Sequence, residues 1–172
     1  MGLKDQKLDL AQYSEAQFVE RFGGLYEHSA WVAEVVWSRV SRGQSINFDT
    51  LSAQLRNTVD EATDDQKMAL LRAHPELAGK AAVQGELTAE STDEQSRARL
   101  DQCSRDEFEQ FQKLNSAYTT KFSFPFIMAV RNSSREEILE SFESRLQNSI
   151  EKQFDTALQQ VHQIWKHRGD DA

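Results

Sequence analysis

The sequence predicts an all-α protein, a single-domain helical bundle of about eight helices spanning residues 1–172. Three observations predict it. Two prolines and seven glycines in 172 residues leave few positions able to break a helix. Ser or Thr followed three residues later by Gln or Glu recurs at Ser14/Gln17, Thr63/Gln66, Ser91/Glu94, Ser104/Glu107 and Ser134/Glu137, each ahead of helix-compatible sequence, which is the pattern of a capping box. No apolar/polar alternation is long enough for a sheet, and there is no internal repeat.

Ser14 opens the first helix, which carries Phe18, Val19 and Phe22 and stops at Gly23-Gly24. The second, SAWVAEVVWSRV (residues 29–40), puts Trp31 and Val35 on the buried face, with Val32 and Val36 as further candidates, before SRGQS ends it. A third, from about Asn47 to Glu61, aligns Phe48, Leu51 and Leu55, and a fourth, Thr63 to Ala73, carries Met68, Leu70 and Leu71. Pro75 lacks an N–H and disfavours helical geometry in the residue before it, so LLRAHPELAGK (residues 70–80) must turn at His74. ELAGKAAVQGELTAE (residues 76–90) is the least helical stretch and reads as a loop with room for a short helical turn. Helices resume over about Ser91–Gln102, Ser104–Thr120, Ser134–Asn148 and Ile150–Arg168, broken by KFSFPFIMAVRNSS (residues 121–134).

Composition narrows the function classes. A chain of this length hides about two thirds of its unfolded surface and needs no covalent staples. The formal net charge is −8, and the 20 Lys and Arg are scattered among 28 Asp and Glu, which argues against a nucleic-acid partner. No apolar run is long enough for a membrane helix, and MGLKDQKLDL has no basic-then-apolar signal pattern, so a cytoplasmic protein with no membrane partner is expected. Gln6 stands where an N-myristoylation signal needs Ser or Thr. Cys103 is the sole cysteine, so no internal disulfide forms and a reducing compartment fits. The four histidines, His28, His74, His162 and His167, make no i,i+4 pair, so no metal is expected. Glycine-rich phosphate loops and nucleophile elbows are absent from the sequence.

Several residues have structural explanations when taken singly. A histidine at a helix C-terminus interacts favourably with the last carbonyls, which would account for His74, and Arg168 suits the end of the last helix for the same reason. Ser91 and Glu94 read as a cap. FSFPFIM, Phe122 to Met128, is different: it is apolar, and Pro125 prevents it from bonding as a regular helix, so its backbone must find other partners. It is either a buried turn that packs the core or a pocket wall whose N–H and C=O groups face a polar ligand.

FGGLYEHSAWVAE (residues 22–34), LLRAHPELAGK (70–80), LTAESTDEQ (87–95) and LNSAYTTKFSFPFIMAVR (114–131) stand in an order and at separations that resemble the OHCU decarboxylase family, the 2-oxo-4-hydroxy-4-carboxy-5-ureidoimidazoline decarboxylases of the urate-to-allantoin pathway. The resemblance covers nearly the whole chain. It implies an all-helical fold, the small-molecule substrate OHCU, the product (S)-allantoin, no cofactor and a homodimer. It implies catalytic roles for His74, Glu94 and Arg168, and substrate contacts from Pro75, Ser91, Gln95 and the segment of Phe124, Phe126 and Ile127. The family usually has Gly where this chain has Ser123, a position at which glycine would permit a positive φ.

The implied chemistry suits such residues. Decarboxylation leaves a carbanion that most enzymes delocalise into a bound cofactor. This substrate carries its own sink, a conjugated ring bonded to the carbon that loses carboxylate. The protein must orient the carboxylate, stabilise charge moving into the ring and direct one proton to one face. His74 and Glu94 would do acid/base work, Arg168 would bind negative charge, and Ser91, Gln95 and the Phe124–Ile127 backbone would fix the ring. Two other readings compete: a non-catalytic all-α interaction module using Trp31, Trp37 and Trp165, which requires an exposed apolar patch, and a related decarboxylase acting on another ureido acid.

Overall fold

A computed structural model describes residues 7–40, 45–79 and 89–171, except for the side chains of Glu90, Glu94, Arg97, Asp170 and Asp171. Most of the loop expected over residues 76–90 lies outside the described residues. Those described form eight α-helices: α1 Glu15–Phe22, α2 Trp31–Arg39, α3 Phe48–Asp60, α4 Asp64–Arg72, α5 Ala89–Arg97, α6 Arg105–Phe122, α7 Arg135–Leu146 and α8 Ile150–Asp171. None of them is long and apolar enough to cross a membrane. The chain divides into two compact units, Met1–Ala73 with His162–Ala172, and His74–Val161.

Four of the five capping boxes form as the sequence predicts, opening α1, α4, α6 and α7 from Ser14, Thr63, Ser104 and Ser134. The fifth does not. Helix α5 begins at Ala89, so Ser91 is its third residue and not a cap. The expected helix to Gln102 also ends early, because Arg99 adopts a left-handed conformation (φ 56°) and hands the chain to a single 3-10 turn, Leu100–Gln102.

In the first unit, two three-residue strands, β1 Lys7–Asp9 and β2 Ser45–Asn47, pair antiparallel with Leu8 opposite Ile46. They are too short to leave an alternating pattern in the sequence. Helix α2 buries two of its expected candidates, Val32 and Val36, together with Ala33 and Trp37, whereas Trp31 and Val35 are only half-buried. The Trp37 ring decides the rotation by packing on Phe18, centroids 5.2 Å apart. Phe48 stacks on Trp165 of α8 at 5.2 Å and 6°. Gly169 makes room for that ring, because a Cβ there would overlap the edge of Phe48.

In the second unit the core is aromatic. Phe111, Tyr118 and Phe122 of α6 meet Phe142 of α7 and Phe124 and Phe126 of the irregular segment, all buried. Phe126 and Phe142 stack with centroids 3.7 Å apart and planes at 16°. Ser123 closes α6 with φ 65°, so serine here adopts the left-handed backbone that glycine takes without strain.

Candidate active site

The segment carrying His74 starts where α4 closes. The Ala73 N–H bonds to Ala69 O at 3.1 Å, and Pro75, with no N–H, cannot extend the ladder. His74 is buried, 8% exposed, and opens the second unit. The chain then folds tightly: a Cβ on Gly79 would stand 2.8 Å from that of Glu76, a distance that excludes a side chain there.

Helix α5 packs on this loop through Gln95. Its Oε1 accepts from Ala78 N–H at 3.0 Å and its Nε2 donates to Glu76 O at 3.4 Å. Ser91 lies one turn earlier on the same face and is also buried. Gln95, expected as a substrate contact, is thus held beside the His74 loop with both its amide oxygen and nitrogen bonded to it, and Ser91, expected likewise, is buried one turn away on the same helix face. The Glu94 backbone lies on α5; its side chain is outside the described residues.

The Phe124–Ile127 segment packs the core, the first of its two expected readings. Its side chains are buried in the aromatic core. Its backbone is bonded by side chains: Arg145 Nη1 donates to Ile127 O at 2.7 Å, and Ala129 N–H donates to Gln160 Oε1 at 2.9 Å. Arg145 is itself buried, with its Nε on Gln153 Oε1 at 2.9 Å and its guanidinium 4.3 Å from the Phe126 ring centroid. The Tyr118 hydroxyl donates to the same Gln153 oxygen at 2.7 Å. Burial lowers the Arg145 pKa from its ordinary value and raises that of Tyr118.

Arg168 belongs to the first unit. Its Nη2 donates to Glu27 Oε2 at 2.8 Å, and Nη1 reaches Leu25 O at 3.4 Å and Gly24 O at 3.5 Å. Both side chains of the pair are buried. In the same unit Tyr26, His162 and Asp60 form a chain, with Tyr26 Oη 2.9 Å from His162 Nδ1 and His162 Nε2 3.3 Å from Asp60 Oδ1. Because a carboxylate only accepts, Nε2 carries the proton and Nδ1 accepts from the tyrosine. Burial lowers the His162 pKa, with Asp60 opposing, and raises that of Tyr26.

Sequence reasoning missed Glu27, Gln112, Asn115, Arg145, Gln153 and Gln160. A signal existed for two of them. Asn115 falls on the apolar stripe Phe111–Tyr118–Phe122 of α6, and Arg145 on the stripe Ile138–Phe142 of α7. A polar residue on a buried stripe must be bonded, which marks it for attention.

Comparison with known proteins decides the family. The OHCU decarboxylase family profile matches residues 11–170. The chain belongs to that family. It is 40% identical to the 2-oxo-4-hydroxy-4-carboxy-5-ureidoimidazoline decarboxylase of Halalkalicoccus jeotgali over 91% of this chain and 85% of that one. It is 42% identical to the protein of the same name from Haloferax volcanii over 86% and 83%. Among solved structures, an (S)-allantoin synthase superposes with a TM-score of 0.69 at 31% identity, covering 98% of this chain and 52% of that one, so the chain spans about half of the synthase's length. Of the three tryptophans on which the interaction-module alternative rests, Trp37 and Trp165 are buried and Trp31 is half-buried, and among the described residues Ile150 is the one large hydrophobic that is exposed.

Proposed function

We propose that this chain decarboxylates 2-oxo-4-hydroxy-4-carboxy-5-ureidoimidazoline to (S)-allantoin in urate degradation, as a cofactor-independent carboxy-lyase. Family membership supports the reaction class. The observation that carries the assignment to a site is a buried histidine, His74, in irregular chain beside a helix face that presents Ser91 and Gln95.

In this reading His74 and Glu94 exchange the proton, and Ser91, Pro75, Gln95 and the Phe124, Phe126 and Ile127 backbone orient the ring and ureido group. Loss of carbon dioxide leaves its electron pair in the conjugated ring, and one proton then reaches one face of the former carboxyl-bearing carbon. Arg168 binds negative charge on the substrate, an assignment supported by the resemblance alone. The family association likewise supports a homodimer, and the single cysteine fits a reducing compartment such as the cytoplasm.

The test is stereochemical. The substrate is generated in situ from urate with the two preceding activities, and allantoin is followed by absorbance and circular dichroism. Rapid formation of one enantiomer, abolished in His74→Ala with helicity retained, is the expected result. Racemic product at the uncatalysed rate would refute the function, and full activity in His74→Ala would refute the site.

A further inference from the structure

We propose that Gln112 and Asn115 are positioning residues for His74: with Gln95 they form an amide clamp that fixes the loop on which the histidine is carried. The inference rests on the catalytic role proposed for His74.

Three side chains bond the backbone of this loop. Gln112 Nε2 donates to Ala78 O at 2.9 Å and Asn115 Nδ2 donates to Leu77 O at 2.9 Å, while Gln95 holds Ala78 N–H and Glu76 O. Gln112 and Asn115 stand three residues apart on α6 and so share a face, while Gln95 comes from α5. Four polar groups on three consecutive residues are therefore tied to two helices. Leu77 and Ala78 are buried, so water is a poor substitute for the amides.

Ala78 shows that the clamp does more than satisfy polar groups. Its φ is 49°, the left-handed region that costs an alanine about 1–2 kcal/mol, and its N–H and C=O are both held by clamp amides. A strained backbone persists where its surroundings over-determine it, and such sites cluster where geometry serves function. The constraint passes to His74 through Pro75, whose ring fixes its own φ and restricts the residue before it. From Pro75 to Ala78 every residue thus carries a backbone constraint, and together they fix the main chain next to His74.

The experiment measures kcat and KM of Gln112→Ala, Asn115→Ala and Asn115→Ala/Ala78→Gly in the coupled urate assay, with the His74 imidazole titrated by NMR in each. Displacing a reacting group by about 1 Å costs up to about a hundredfold, so the single variants are expected to lose about ten- to a hundredfold in kcat, with KM within about twofold and a shifted His74 titration. Glycine adopts the left-handed backbone without strain, so the double variant should recover part of the lost kcat. Gln112 is only half-buried, so its variant tests the idea even if Asn115→Ala fails to fold. Wild-type kcat and an unmoved His74 titration in folded Gln112→Ala would overturn the clamp while leaving the decarboxylase reading intact. A His74→Ala variant that retains activity would instead overturn the site itself, and the clamp with it.

Discussion

Removing the Glu27 carboxylate should destabilise the protein more than any surface ion pair could. Glu27 and Arg168 are buried, their side chains 1% and 5% exposed, and the carboxylate lies 2.8 Å from the guanidinium. The contacts of Arg168 to Leu25 O and Gly24 O are longer, at 3.4 and 3.5 Å. Glu27→Ala removes the carboxylate facing a buried guanidinium, and breaking a buried pair from one side costs about 3–5 kcal/mol. For a chain of this size each kcal/mol moves Tm by about 2–4 °C, so Tm should fall by roughly 6–20 °C. Thermal unfolding followed by far-UV circular dichroism measures it, and the double variant Glu27→Met/Arg168→Met should recover much of the loss, since it buries no charge. A Glu27→Ala protein within about 1 kcal/mol of wild type would refute the reasoning, because the pair would then be solvated and Arg168 would owe its place to something else.

Two further effects follow from single residues. Burial holds the His162 pKa below its ordinary value, so the unfolded chain takes up the proton more readily: stability is full above about pH 6.5 and falls as pH drops through and below it, by up to about 1.4 kcal/mol per pH unit. Urea midpoints between pH 5 and 8 should therefore show a steeper acid-side decline in wild type than in His162→Gln, and parallel curves would count against it. Ser123→Gly should raise stability by about 1 kcal/mol, because φ 65° strains a serine, and an unchanged or lower Tm would show that the serine side chain repays the strain locally.

Much of the architecture was legible because it is local. Helix starts were encoded in Ser or Thr and its partner three residues on, and the turn at His74 in Pro75. Ser91 misled because its spacing to Glu94 imitates a cap, whereas α5 already begins at Ala89. The inward face of α2 depended on whether Trp31 or Trp37 found an aromatic neighbour, which is tertiary information; Phe18 supplied it for Trp37. Ser91 and Gln95 were legible through family blocks, but the commitment of Gln95 to the Glu76–Ala78 backbone was not, since both partners of that bond are unremarkable in sequence. Arg168 shows the same limit. Its position near a helix end was plain, and its burial against Glu27, far earlier in the chain, was not.

The polar residues that sequence reading passed over share one physical task. Among the described residues, polar side chains rooted on α-helices bond backbone that is not α-helical inside the family blocks: Gln95, Gln112 and Asn115 on Glu76–Ala78, Arg145 and Gln160 on Ile127–Ala129, and Arg168 on the 3-10 turn at Gly24–Leu25. A side chain anchored on a helix satisfies these groups where water is a poor substitute, and it lends the loop the stiffness of that helix. A decarboxylation whose substrate supplies its own electron sink asks little covalent chemistry of the protein and a great deal of placement, since the carboxylate must leave out of plane and one proton must arrive on one face. In such an enzyme the burden falls on what holds the loops as much as on the groups that touch substrate. A glutamine or asparagine on a buried helical stripe is then the mark in the sequence of a loop that must not move.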